Sequence, residues 1–435
     1  EDSILQKIEV GNVSFPISNS LIRGAQSLFG VKAQFQFGKT TLTGVFSEQK
    51  SQSKTITSQG GGTIQEFDFF ALDYDADKHY FISQYFRNNY DNALRNYPVI
   101  DSRAQITRME VWVTNKQNRV TTTDNNLRNI IALQDLGESR LSGILDSEIV
   151  GIPDPDFFNI PPANIPTPAN SPTDNKNNRF DPGKIGSPGY SLGNSIREIA
   201  TASQGFSNAS IPITPMPVEG IDYSKLENAR KLSSSEYTFH PQLGYISLNQ
   251  KLQNDEVLAV AYQYTVGGEV YQVGEFANDG LESTTVDPAG VPTTQALLLK
   301  MLKGSLINVS EPSWDLMMKN IYQIPGGNQL QQQDFKFNIL YQDPSPLNYI
   351  TQAGIDALPS NVANTPLLKV FNLDKLNFTN DPQPNGDGFF DFYPGITVDS
   401  QYGRIIFTTV EPFGKHLFNK LDVTTLTEDY DAPLS

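Results

Sequence analysis

The side chains best suited to chemistry are three histidines, His79, His240 and His416, which are far apart in the sequence. No two of them have metal-binding spacing, and no serine-nucleophile or phosphate-binding motif accompanies them. The chain has no cysteine, which excludes thiol catalysis, disulfides and thiolate metal sites. The histidines are therefore predicted to be structural or surface residues. We expect the chain to be neither an enzyme nor a cofactor-binding protein.

One carboxylate-rich stretch, TNDPQPNGDGFFDF from Thr379, resembles an oxygen-rich calcium loop. The weak calcium candidates in it are Asp381, Asn385, Asp387 and Asp391. Gln383 stands where the pattern has its first Asp, which removes one ligand charge. A hairpin turn at Asn385-Gly386 or Asp387-Gly388 explains the same residues without a metal. The prediction is that no metal binds, with the calcium loop as the alternative.

Charge and composition exclude some partners. The 435 residues contain 48 acidic and 32 basic side chains, which give a net charge of −16. Nucleic-acid binding requires a basic surface, so no nucleic acid partner is expected. The abundance of aromatic, Gly and Pro residues is typical of β-rich exported proteins. No apolar run is as long as the roughly 18 residues that a transmembrane helix needs. The chain starts with Glu-Asp-Ser, without a signal peptide, which favours a processed or excised piece of a longer protein.

Residues 29–37 alternate strictly between apolar and polar side chains. This period of two predicts a β-strand with one apolar and one polar face. Gly38-Lys39 can turn the chain, and Thr40 to Phe46 can return as a Thr-rich second strand. The pattern alone leaves two settings open. The apolar face packs on the core of a soluble protein, or it meets lipid in an outer-membrane barrel.

After this hairpin the sequence predicts a small α/β module. A helix is predicted from Asp77 to Tyr97 and a strand from Ile106 to Val113. A second helix is predicted to begin at Asp124, with its apolar side formed by Leu127, Ile130, Ile131 and Leu133. The following Pro- and Asn-rich residues 151–194 are predicted to be a loop or linker.

The second half of the chain is predicted to be richer in strands. A β-meander is expected at Tyr245–Leu248, Val257–Thr265 and Val270–Val273, with a turn at Gly267-Gly268. Residues 294–303 and 312–322 have helical patterns, and 335–341 alternate as a strand. The stretches QLGYISL at 242–248 and QYGRIIF at 401–407 share Gln-x-Gly-x-Ile, which indicates a weak internal repeat.

Long and idiosyncratic stretches lie in order along nearly the whole chain. They are GNVSFPISNSLIRGAQSLFGVKAQFQFGKTTLTGVFSEQKSQS (11–53), SQYFRNNYDNALRNYP (83–98), MEVWVTN (109–115), ALQDLGE (132–138), VAYQYT (260–265), WDLMMKNIY (314–322) and GDGFFDFYPGITVDSQYGRIIFTTVEPFG (386–414). Together they resemble one family, the outer-membrane translocon of the type IX secretion system, known as SprA or Sov.

The resemblance implies a fold and an orientation for the hairpin. The fold class is then mainly β with an α/β insert: a segment of a very large outer-membrane β-barrel, with one barrel-type hairpin and inserted β-rich globular modules. The implied lipid-facing residues are Phe29, Val31, Ala33, Phe35 and Phe37. The implied lumen-facing residues are Lys32, Gln34 and Gln36. This chain is much shorter than a family member, which contains dozens of wall strands.

The resemblance also implies a function. The chain is expected to be a non-catalytic part of a protein-conducting channel in the outer membrane, which exports folded cargo and delivers gliding adhesins. Implied partners are secreted cargo proteins, an outer-membrane shuttle barrel protein at a lateral opening, a periplasmic plug protein and outer-membrane lipid. The inserted modules are expected in the periplasm or on the cell surface. The alternative is a secreted β-rich binding or adhesion module, dependent on calcium.

The predicted division of the chain has six parts. They are a wall hairpin at 1–58, an α/β module at 64–150, a loop or linker at 151–194, a β-meander module at 195–280, a mixed connector at 281–345 and a second β-module at 346–435.

Overall fold

The computed structural model describes residues 5–13, 28–37, 40–47, 56–59, 62–116, 127–134, 136, 219–220, 223–277, 284–286, 290, 292–307, 309, 312–342, 345–350 and 358–421. The chain divides into two units, Glu1–Asp68 and Phe69–Ser435. Within the described ranges, no helix has the length and apolar character needed to cross a membrane. The predicted linker at 151–194 lies outside the described residues.

The first unit contains two antiparallel sheets. Strands β1 (Leu5–Val13), β2 (Leu28–Phe37) and β3 (Thr40–Ser47) form a three-stranded sheet in that order. A hairpin follows, in which β4 (Ile56–Gln59) pairs with β5 (Gly62–Gln65). The predicted alternating strand and its Thr-rich return are confirmed. The pairing of β1 with β2 was not predicted, because no tight turn connects them and sets their register.

The second unit contains the remaining elements in chain order. They are β6 (His79–Phe81), α1 (Gln84–Ala93), β7 (Ala104–Val113), β8 (Leu127–Leu133), β9 (Tyr223–Lys231), β10 (Tyr237–His240), β11 (Tyr245–Leu248), β12 (Leu258–Val266), β13 (Glu269–Val273), β14 (Thr284–Val286), β15 (Pro292–Thr294), β16 (Leu297–Lys303), α2 (Pro312–Leu316), β17 (Ile321–Gln323), a 3₁₀ turn (Gln332–Asp334), α3 (Leu367–Val370), β18 (Val398–Asp399), β19 (Arg404–Ile406), a π turn (Pro412–His416) and α4 (Leu417–Leu421). The predicted mainly β fold class is confirmed.

Five strands of the second unit close into a barrel. Around it, β7 pairs with β12, β12 with β16, β16 with β8, β8 with β9, and β9 again with β7. All these pairings are antiparallel except β16 with β8. Strand β13 extends the sheet from β12. Closure removes the free edges that an open sheet would expose.

The barrel interior is filled by side chains. All five strands contribute to one buried cluster, which is rich in alanine, and the contributing residues alternate in β8, β12 and β16. Its members are Trp112, Ile130, Ala132, Leu226, Ala229, Val257, Ala259, Ala261, Phe276, Ala277, Leu297, Leu299 and Met301. Small side chains suit this position, because even eight strands leave room only for side chains inside a barrel. This barrel is therefore a packed core without a pore.

The other residues of the same strands form the outer layer of the core. Val260 and Tyr262 of β12 and Leu298 of β16 belong to a second, larger cluster, in which Tyr85 and Phe86 of α1 are also buried. Helix α1 packs its apolar stripe into this cluster beside β6 and α2. The predicted helix at Asp77–Tyr97 is shorter than expected, because its first residues form β6.

Two predicted helices are strands in the structure. The residues expected to form a helix after Asp124 form β8, and those at 294–303 form β16. Both predictions were wrong for one physical reason. A strand of this barrel is buried on its inner and its outer face, so nearly every position is apolar. The period of two is then lost, and a short apolar run resembles a buried helix.

The three strands of the predicted meander are present, but only β12 and β13 pair with each other, because β11 pairs with β10 and β6 in a separate sheet. Strands β11, β12 and β13 occupy the expected residues, and Gly267 and Gly268 both have positive φ in the turn before β13. The two similar stretches are also alike locally. Gly244 (φ 64°) precedes β11 and Gly403 (φ 68°) precedes β19. Such φ angles favour glycine.

The helix predicted at 312–322 is present only in its first residues, which form α2. The last residues of that range belong to β17. Residues 335–341 alternate in burial, but they do not form a ladder with another described strand. The barrel draws its strands from residues 104–303. It therefore crosses the predicted boundaries after residues 150, 194 and 280.

Candidate functional site

The register of β1, β2 and β3 brings apolar positions together on one face of the first unit's sheet. Val31 lies opposite Val10 on one side and Phe46 on the other, and Ala33 lies opposite Ile8. Directly opposed residues of antiparallel strands share a face. Of the positions implied to face lipid, Val31, Ala33 and Phe35 are thus part of a face three strands wide, whereas Phe29 lies opposite Asn12 and Phe37 opposite Thr40.

The opposite face carries the polar positions. Lys32 lies opposite Glu9, and Gln34 lies opposite Lys7 and Thr43. The third position implied to face the lumen, Gln36, has an exposed side chain, whereas Ala33, Gln34 and Phe35 are half-buried. The sheet is therefore two-sided, and its second face carries Lys32, Glu9 and Gln34, although Val45 of β3 also lies there, opposite Lys32.

The second unit assembles an Asp, a His and a Ser from distant parts of the sequence. His79 Nδ1 shares a 2.7 Å hydrogen bond with Ser247 Oγ, and His79 Nε2 lies 3.1 Å from Asp75 Oδ2. Ser247 is on β11, which pairs with β6 and so brings the serine to His79. Sequence analysis missed this contact, because 168 positions separate the two residues. Only the four-residue spacing of Asp75 and His79 was visible in the sequence.

The geometry of this cluster indicates a structural role. His79 is 1% exposed and Ser247 8% exposed, so a substrate carbonyl has no approach to the hydroxyl oxygen. Arg404 Nε lies 3.5 Å from Asp75 and already supplies the carboxylate with a cation. Burial lowers the pKa of His79 below its usual value, against the effect of Asp75. Neutral His79 thus links β6, β11 and the Asp75 loop by hydrogen bonds.

Arg404 extends the same network to the last sheet. Its Nε donates to Gln323 Oε1 at 3.2 Å and its Nη1 lies 3.3 Å from Asp399 Oδ2. Although burial raises the pKa of Asp75, the hydrogen bond from His79 and the neighbouring cations hold it below its usual value. A buried guanidinium between two carboxylates is a strong crosslink only while all the partners are present.

The other two histidines support packed turns. His240 Nδ1 accepts the Leu243 N–H at 3.1 Å, and its ring stacks on Tyr245 with centroids 5.5 Å apart. Burial lowers the pKa of His240 to about 4. His416 Nε2 lies 2.9 Å from the carbonyl of Val370. The imidazole rings of the three histidines therefore lie in separate environments.

The calcium candidates do not form one ligand group. Within the part of the chain that the structure describes, no three His, Cys, Asp or Glu side chains converge as metal ligands. Asp381 accepts from Thr379 Oγ1 at 2.8 Å, and Asp387 accepts from the backbone of Phe389 at 3.0 Å. Asn385 is exposed. The chain turns here instead, with positive φ at Gly386 and Gly388, as in the hairpin-turn alternative.

Two aspartates hold this turn from inside. Asp374 accepts the backbone N–H groups of Asp387 at 2.8 Å and Gly388 at 3.2 Å. Asp391, which is 5% exposed, accepts from Tyr97 Oη and from the backbone N–H of Lys375, both at 2.6 Å. Among the four calcium candidates, Asp391 is thus the one that is buried, and its oxygens accept hydrogen bonds from Tyr97 and from the backbone.

The protonation of Asp391 predicts a pH effect on stability. Burial raises its folded-state pKa to about 6, from an ordinary value of 3.8. Because the folded state binds this proton more tightly, its stabilising contribution is complete below pH 3.8 and is lost as the pH rises through 6. We expect Asp391→Asn to flatten this part of the dependence. Urea unfolding midpoints measured between about pH 4.5 and about pH 7.5 test this, and an unchanged slope in the variant would contradict the assignment.

A surface cavity of about 230 Å³ lies beside α1. Its lining includes Tyr85, Asn89, Asp101, Arg103 and Gln242. It contains none of the three histidines and no second carboxylate. The pair of acids or the acid–base pair that a hydrolase needs is therefore absent from this cavity.

Comparison with known proteins gives the chain a family. Residues 1–266, more than half of the chain, match the N-terminal family of SprA, described as motility related/secretion protein. The match includes the two-sided sheet of the first unit and four of the five barrel strands, and it ends at the last residue of β12. No curated protein matches the chain. The chain therefore belongs to the SprA family of motility-related and secretion proteins and carries the N-terminal region of that family.

Proposed function

We propose that the chain is a non-catalytic wall and scaffold segment of a protein-conducting translocon in the outer membrane. It is the translocon of the type IX secretion system, which exports folded cargo and, in gliding bacteria, delivers adhesins. Membership in a secretion and motility family indicates a protein of the cell envelope. The proposal narrows this general assignment to the outer membrane and to the type IX secretion system.

The observation that carries the proposal is the two-sided sheet of β1, β2 and β3. Its strands have 9, 10 and 8 residues, close to the about 9–11 residues that a strand needs to cross a bilayer. Its register collects apolar positions on one face and Lys32, Glu9 and Gln34 on the other. An outer-membrane wall has the same division between lipid and lumen.

The second unit supports a scaffold role in the same proposal. Its barrel has a packed interior, so this barrel cannot conduct a protein. The buried crosslinks at Arg404 and Asp391 favour a rigid body. The proposed partners are cargo proteins, a shuttle barrel protein at a lateral opening, a periplasmic plug protein and outer-membrane lipid. We place the second unit in the periplasm or at the cell surface.

The size and location of the parent polypeptide test this proposal. An antibody raised against the chain is used to blot fractionated source cells. We expect a band several times larger than 48.2 kDa in the outer-membrane fraction. A soluble or released band near 48.2 kDa would contradict the translocon and favour a secreted adhesion module. A large band in the inner membrane would contradict the wall assignment.

A further inference from the structure

Residues 335–340 form an extended segment that alternates in burial without a paired strand. Its inward side chains are Phe335, Phe337 and Ile339, and its outward side chains are Lys336, Asn338 and Leu340. Phe335 has extended dihedral angles, φ −96° and ψ 126°. The sequence predicts a strand here. The structure has extended dihedral angles at Phe335 and the two faces of that strand in the burial of 335–340, but no ladder with another described strand.

The inner face of the segment is fixed by aromatic packing. The ring of Phe337 stacks on Phe69, with centroids 6.0 Å apart, and meets Phe390 edge-on at 5.1 Å. Phe335 contacts Phe392 at 5.4 Å. The segment is therefore held in place by its side chains, although strand pairing does not hold its backbone.

One edge of the segment is open. In an extended chain the backbone groups of alternate residues point to the same edge. Those of Lys336, Asn338 and Leu340 share an edge, and they make no hydrogen bond to another described residue. We call these three residues the open edge. Unpaired N–H and C=O groups in such a row are a template for another strand.

Large exposed apolar side chains lie on the segment and on two turns that contact it. Leu340, Phe378 and Phe389 are 57%, 77% and 71% exposed. Gln332, just before the segment, donates to the carbonyl of Phe378, and Phe390, the neighbour of Phe389 in the sequence, meets the ring of Phe337 edge-on. Exposed apolar groups clustered in this way mark an interaction surface.

The charges at this surface define the partner. Asp381 and Asp387 are exposed and lie within three residues of Phe378 and Phe389. Basic side chains on a partner would complement them. A second copy of this chain is a poor partner, because it would bring the same two aspartates and only one base, Lys336, in the segment.

We propose that the open edge binds an extended strand of a partner polypeptide by β-augmentation, and that this strand alternates large apolar and basic side chains. Backbone hydrogen bonds fix the strand against Lys336, Asn338 and Leu340. Its apolar side chains contact Leu340, Phe378 and Phe389, and its basic side chains face Asp381 and Asp387. The proposal is independent of the translocon function, since it uses contacts of the second unit alone.

Hydrogen exchange on the full chain tests the edge first. In the free chain, we expect the amides of the open edge to exchange rapidly, because they are exposed and unbonded. The probe is the peptide acetyl-Val-Lys-Val-Lys-Val-Lys-Val-amide. Its addition is expected to slow exchange at the open edge by about tenfold or more at saturation. Slow exchange before the peptide is added would overturn the proposal, because the edge would already be paired.

Matched peptides and variants separate pairing from adsorption. A peptide N-methylated at alternate residues keeps its charges but cannot pair, and we expect at least about tenfold weaker binding. Leu340→Pro should weaken binding similarly by removing an edge N–H, whereas Leu340→Ala keeps that group and should cost about threefold or less. Asp381→Asn with Asp387→Asn should weaken binding at low salt only. Equal binding of both peptides, or no binding by about 1 mM, would overturn the proposal.

Discussion

Replacing Phe35 by lysine is expected to reduce the amount of parent protein assembled in the outer membrane by at least about tenfold. Phe35 lies on the apolar face of β2, opposite Leu5 and Leu42. A lysine on the lipid face of a barrel strand costs about 2–4 kcal/mol at the bilayer midplane and less towards its surfaces. The lost apolar contact of the phenyl ring adds to this cost. Blotting of outer-membrane fractions after protease treatment of the cells measures the assembled amount.

The neighbouring residue provides a matched control. Gln36 lies at nearly the same depth on the opposite face, with an exposed side chain. The change Gln36→Lys adds the same charge to the surface proposed to meet water, so assembly should stay within about twofold of the original level. Equal loss in both variants would contradict the assignment of the two faces. Equal tolerance of both, with the protein in the soluble fraction, would contradict a membrane location.

Replacing Trp112 by alanine is expected to destabilise the second unit by about 3–5 kcal/mol. Trp112 is 1% exposed and is the largest side chain in the barrel interior. Its neighbours there include alanines such as Ala259 and Ala261, which cannot move to fill the space. Because typical domains are stable by only about 5–15 kcal/mol, this loss is a large fraction of the total. Urea unfolding monitored by circular dichroism, with hydrogen exchange at β7 and β16, measures it.

Two further variants of β7 serve as controls for the cavity that Trp112→Ala creates. The indole Nε1 of Trp112 is buried and has no hydrogen-bond partner among the described residues. Trp112→Phe removes this donor and keeps most of the ring volume, so we expect a cost of about 1.5 kcal/mol or less. Gln105→Ala, at an exposed position of β7, should change stability by less than about 0.5 kcal/mol. A cost for Trp112→Ala below that of Trp112→Phe would contradict a filled interior.

Sequence patterns predicted the strands that have two unlike faces. In β2 one face is apolar and the other polar, and in β7 the N-terminal half alternates between buried and exposed residues. Strands β8 and β16 carry the same backbone conformation, but each of their faces is buried. Periodicity reports a difference between two faces, and in these strands there is none. The closure of the barrel depends on pairings between distant strands, which local patterns do not encode.

The candidate site was predictable to a similar extent. The alternation of residues 29–37 identified the positions of the two-sided sheet, and the register then added β1 and β3. The residue types around Asp387 were compatible with either a metal-binding loop or a turn. The contacts of Asp374 and Asp391, which lie outside or at the end of the motif, favour the turn. The contact of His79 with Ser247 depends on the pairing of β6 with β11. No local sequence pattern predicts that pairing.

The position of β16 in the barrel has a consequence for the order of folding. Strand β16 lies between β12 and β8, yet it is the last of the five to be synthesised. Because synthesis proceeds from the N-terminus, β8 and β12 each keep an unpaired edge until Lys303, the last residue of β16, has been added. Such waiting edges bind chaperones or aggregate. A chain that stops at residue 266, where the family match ends, would remain in that state, so the residues beyond the match complete a fold that begins within it.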